Sequence, residues 1–172
     1  MPFIGLIMMC FAIPLLVAGR MVTRMRGSCL LSALTASFIK LLFIGGIAIF
    51  TVMGIMIQAA ILEGFLWKKS PAKAQYLFGS ALSVLYSLFH PFLTLGILGG
   101  KDMMDIYLRI IQSGKDVLGL DIGFAGLLVI ILVGVHLSVG FSVAWISYDL
   151  IAGLITRGVF QVPSIAKSDT SD

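Results

Sequence analysis

IGFAGLLVIILVGVHLSVGFSVAWISY, residues 122–148, carries no fixed charge at any position. Wound as a helix at about 1.5 Å per residue, it reaches roughly 40 Å, more than the ~30 Å hydrocarbon layer of a bilayer. The stretch therefore reads as a membrane span. It holds His136 and ends at Asp149, after which apolar sequence resumes from Leu150 to Ile155. Within it Gly134, His136, Ser138, Gly140, Ser142 and Ala144 alternate with bulky apolar residues. Such alternation suits a barrel strand, but the unbroken run 127–133 and the total length require a helix. At about 100° per residue, Gly134, Ser138 and Ser142 fall on one side of that helix and His136, Gly140 and Ala144 on the other, with Leu132 outward. Helices associate in lipid through small residues that let backbones approach, so this helix is expected to sit between two neighbours.

The rest of the chain reads as further spans around it. Of 172 residues, 59% are hydrophobic and only 12% charged, with a mean hydropathy of +1.10. Water-soluble domains have a charged fraction of about a quarter, so this composition indicates a single integral membrane domain. The net charge of +4 comes from basic residues spread through the loops, which gives no footprint for nucleic acid. Cys10 and Cys29 form neither a C-x-x-C pair nor a metal-ligand spacing. No H-E-x-x-H, G-x-S-x-G or phosphate-loop motif occurs, and the expectation is a protein that is not an enzyme.

The predicted architecture is an all-α membrane bundle of about four transmembrane helices, 2–19, 34–64, 74–100 and 122–155, with a polar tail at 161–172. An amphipathic segment at 101–121 is expected to lie in the membrane interface, broken near Gly114. On it Asp102, Asp105, Arg109, Gln112 and Asp116 recur on one face, with Asp105 and Arg109 in the favourable i, i+4 order. In the second run Gly45, Gly46, Gly54, Ala59 and Ala60 supply small surfaces, and Lys40 is placed to snorkel to the cytoplasmic interface. In the third, Gly79, Ser83, Ser87, His90 and Thr94 share a face, and Pro91 should disturb the helix behind His90. Arg20, Arg24 and Arg26 follow the first run, which argues for an external N-terminus; four spans then put the C-terminus outside as well.

Three functional readings follow. The first is a non-catalytic integral subunit of a larger membrane assembly of transport or secretion type, whose partners are the bilayer and other membrane subunits or copies of itself. Its packing residues are Gly79, Ser83 and Ser87 in the third helix and Gly134, Ser138, Gly140 and Ser142 in the fourth. A second makes His90 and His136 axial ligands of a b-type haem, because paired imidazoles on facing helices are a common way to hold that cofactor. The third uses Asp149, an acidic residue inside apolar sequence, in ion or proton passage. Against it, Asp149 can pair with Lys68, Lys69 or Arg157 at the outer interface, where Glu63 also belongs. The first reading requires no cofactor.

Overall fold

Uncharged runs must satisfy their backbone polar groups internally, and here they do so as helices. The computed structural model describes residues 2–44, 49–68, 70–118 and 125–160; it is 87% helical, with no strand among the described residues. The helices are α1 (Pro2–Thr23), α2 (Ser28–Ile44), α3 (Ile49–Phe65), α4 (Lys73–Pro91), α5 (Met103–Leu118) and α6 (Ala125–Thr156), with a π-helical stretch, Phe92–Leu98, continuing α4. Three helical stretches, Ile4–Thr23, Lys73–Leu98 and Gly126–Thr156, are long and apolar enough to cross a membrane. Gly45, Gly46, Lys69, residues 122–124 and the tail 161–172 lie outside the described residues.

The expected single span over 34–64 is replaced by two antiparallel helices, α2 and α3. Each has 17 residues, about 25 Å of rise, shorter than a hydrocarbon core. The start of α2 is fastened to the end of α3 by Glu63, whose Oε1 accepts from the Gly27 N–H at 2.6 Å and whose Oε2 accepts from the Cys29 N–H at 3.0 Å. The first N–H groups of a helix have no partner within it, so a carboxylate there satisfies two donors and meets the positive end of the helix dipole. Gly27 has φ +83°, a backbone conformation that glycine adopts at little steric cost, and this turns the chain from α1 into α2.

Because α2 and α3 form a hairpin, the α1–α2 turn and the α3–α4 linker lie at the same end of the bundle. Arg20 Nη2 donates to the carbonyls of Leu66 at 2.8 Å and Lys68 at 2.9 Å, and the Arg26 guanidinium stands 5.9 Å from the Trp67 ring centre. Lys73 and Asp149 form an ion pair at 2.6 Å at that end too. The expectation that the Arg20–Arg26 loop and the Lys68 loop lie on opposite sides is thereby corrected. The start of α1 is at the other end, where Gly5 faces Ser87, so α1 begins and α6 finishes at opposite ends. That removes the basis for placing both termini on one side.

α4 is the central helix. It runs antiparallel to α6 through a ladder of contacts: Lys73 with Asp149, Tyr76 with Tyr148 (ring centres 5.3 Å apart), and Val84 against Gly140. Its other side meets α3, where a Cβ on Gly79 would come within 2.8 Å of Phe65 Cβ, and Ser83 Oγ donates to the Gln58 carbonyl at 2.9 Å. After Pro91, which lacks the N–H that the preceding turn needs, the helix widens into the π stretch, and Thr94 Oγ1 donates to the His90 carbonyl at 3.0 Å.

α5 is amphipathic as its pattern indicates: Ile106, Ile110 and Ile111 are buried, while Asp105, Arg109, Gln112 and Asp116 are exposed. Two details differ. The helix continues through Gly114, where the missing side chain admits Leu128 and Leu132 of α6; and Lys73–Asp149 is the one ion pair among the described residues, so Asp105 and Arg109 do not close. Leu132, expected to face outward, is 1% exposed for the same reason.

Candidate functional site

α6 carries two faces with opposite fates. His136, Gly140 and Ala144 are buried, and a Cβ on Gly140 would come within 2.8 Å of Ala81 Cα and 3.0 Å of Val84 Cβ in α4. Gly134, Ser138 and Ser142 are exposed, and nothing lies within 4 Å of a Cβ placed on Gly134. Large apolar side chains stand exposed along the same helix, Ile130 at 69% and Ile146 at 67%. The face therefore combines a shallow small-residue groove with apolar ridges and meets no other part of the described chain.

The two histidines have separate surroundings. His136 is fully buried, and its Nδ1 lies 2.8 Å from the Leu132 carbonyl one turn earlier; a carbonyl can only accept, so Nδ1 carries the proton. Its Nε2 has no hydrogen-bond partner. His90 is half-buried, with Nδ1 3.2 Å from Tyr86 Oη and its Cε1–Nε2 edge against Gly54 of α3. A bis-imidazole haem site requires both rings to be aimed into one pocket. Here His90 lines a cavity between α1, α2, α3 and α4, and His136 lies outside it.

That cavity has a volume of about 710 Å³. Its lining includes small residues, Gly5, Ala12, Ala33, Ala36 and Gly54, that put little side-chain volume into the space. Its polar lining includes Lys40, Thr51, Gln58 and His90. Counting equal steps along α2 and α3 from the Cys29–Glu63 contact brings Lys40 level with Thr51 and Val52, near the depth of His90. Lys40 thus sits toward the end opposite Arg20, not beside it as the single-span reading implied.

Asp149 is half-exposed and is held by Lys73, a partner the sequence reading did not name; the Lys73 ammonium also lies 4.3 Å from the Trp145 ring centre. The charges that are deeply buried are Arg20 and Glu63, each 1% exposed. Arg20 fastens α1 to the end of α3, and Glu63 caps α2; Nε and Nη1 of Arg20 have no partner among the described residues. In the sequence Arg20 registers only as a topological charge and Glu63 as an interfacial carboxylate. The one signal for the cap is Ser28 after Gly27, a helix-start pattern inside a region that otherwise reads as the approach to a span.

Cys10 and Cys29 are free thiols, and no group of three His, Cys, Asp or Glu among the described residues is placed to hold a metal. No protein-family model, curated protein or solved structure matches the chain.

Proposed function

We propose that the chain is a non-catalytic, membrane-embedded subunit of a larger membrane assembly and that it joins its neighbours through the outer face of α6. The observation that carries this reading is the exposed row Gly134, Ser138 and Ser142, while the opposite small face of the same helix is fully used by α4. Apolar tails surround a helix in lipid as well as another helix does, so association depends on close backbone approach and packing. A glycine with open space over it allows such an approach; a glycine already against Ala81 does not.

In this reading the end bearing Arg20, Arg24, Arg26, Lys68, Lys73 and Arg157 faces the cytoplasm, since basic residues collect on that side. The opposite end carries Lys40 and, interspersed with Asp102, Asp105 and Asp116, Lys101, Arg109 and Lys115. Asp149, paired at the basic end, acts as an anchor for α4 on α6.

The experiment is a pair of substitutions. Ser138→Leu fills the outer groove and should release folded monomer from the assembly, with the thermal midpoint of that monomer unchanged. Gly140→Leu drives a branched side chain into α4 and should cost about 1–3 kcal/mol of monomer stability. Size-exclusion in mild detergent and a thermal melt read the two effects separately, with Leu31→Ile, an exposed position of α2 away from that face, as the control. An assembly that survives Ser138→Leu intact would count against the proposal.

A further inference from the structure

We infer that the cavity between α1, α2, α3 and α4 is a binding site for an anionic phospholipid, with the headgroup at Lys40 and an acyl chain running down between α1 and α2. The inference is independent of the role given to α6. A volume of about 710 Å³ is in the range of ligand sites, which lie between roughly 300 and 1,000 Å³. What identifies the occupant is how the lining is arranged along the bundle axis.

The one charged side chain of the lining, Lys40, stands toward one end. Lys40, Thr51 and His90 lie at similar depth, near the start of α1 and the end of α2. Going from there toward the basic end, the walls are mostly apolar, with Met9, Ala12, Leu15, Leu16, Ala33 and Ala36 interrupted by the uncharged Ser32 and Gln58, and no charged residue stands among them. The cavity is therefore amphipathic along its length, as a lipid is.

Its charge is of one sign. Lys40 makes no ion pair and no hydrogen bond among the described residues, and no acidic side chain lines the cavity. An ammonium placed at the end of an apolar slot favours a phosphate over a zwitterionic headgroup, whose own cation would compete for the same anion. Thr51, at the depth of Lys40, adds a hydroxyl able to hydrogen-bond a phosphate or glycerol oxygen. The slot stays open because Ala12, Ala33 and Ala36 stand where larger residues would fill it.

The test uses the full chain purified in mild detergent and supplied with phosphatidylglycerol or phosphatidylcholine bearing the same acyl chains, with bound lipid counted by native mass spectrometry. Phosphatidylglycerol should be retained about tenfold more strongly than phosphatidylcholine, the scale of one charge-assisted contact. Lys40→Gln should abolish the difference and Lys40→Arg should keep it. Ala36→Phe, which fills the slot without touching the charge, should lower retention of both lipids. Equal retention of the two lipids by the parent chain, a preference that survives Lys40→Gln, or retention of both lipids by Ala36→Phe at the level of the parent chain would each overturn the inference. Should Lys40→Gln not fold, Ala36→Phe decides it: a fall in retention of both lipids supports the site, and retention at the parent level overturns it.

Discussion

Glu63 shows how much one buried carboxylate can organise. Its two oxygens hold the Gly27 and Cys29 N–H groups and so fix where α2 starts and where α3 ends. Glu63→Ala leaves both donors without a partner and should cost about 2–4 kcal/mol, the scale of a helix cap plus a charged hydrogen bond. Glu63→Gln keeps one acceptor oxygen and should cost less. Equilibrium unfolding in detergent separates the two. The local sequence could not reveal this role, because the partners are more than 30 residues apart and a lone Glu at the end of an apolar run has an adequate explanation as an interfacial charge. For Asp149 the sequence suggests Lys68, Lys69 or Arg157 as a partner, whereas the pair it forms, with Lys73, depends on the register of α4 against α6. Leu132 was misread for a similar reason: helical angles place a residue on a face, but only the path of α5 decides that this face is covered.

At the scale of the element, periodicity served well where one helix has one polar face. α5 is the clearest case, and the division of α6 into two small faces also follows from its 3.6-residue repeat. It failed at α2 and α3, where apolar character continues from one helix to the next and hydropathy alone carries no mark of a reversal. Small residues had to be sorted in the same way, because a glycine pattern does not say which glycines are in contact. Gly79 lies against Phe65, whereas Gly64 has nothing within 4 Å of a Cβ. Gly79→Ala should therefore destabilise the α3–α4 packing by about 1–3 kcal/mol through overpacking. Gly64→Ala should be neutral or gain about 0.5–1 kcal/mol from helix propensity. Thermal melts of the two variants side by side check the distinction.

For the whole molecule, the central claim is that α2 and α3 return the chain to the end it left, so that α1 starts and α6 finishes at opposite ends. All-helical architecture and high apolar content were legible in the composition; the parity of the path was not, because it depends on one reversal within 34–64. Everything assigned to an end of the bundle rests on it, including Lys40 at the far end of the cavity from Arg20 and the collection of basic residues beside Arg20. The most direct measurement is labelling of single cysteines introduced at Phe3 and at Val159, in a chain with Cys10 and Cys29 replaced by alanine, using a membrane-impermeant maleimide on intact cells. The hairpin predicts that the site at 3 is labelled in intact cells and the site at 159 only after permeabilisation. Labelling of both sites, or of neither, before permeabilisation would contradict it.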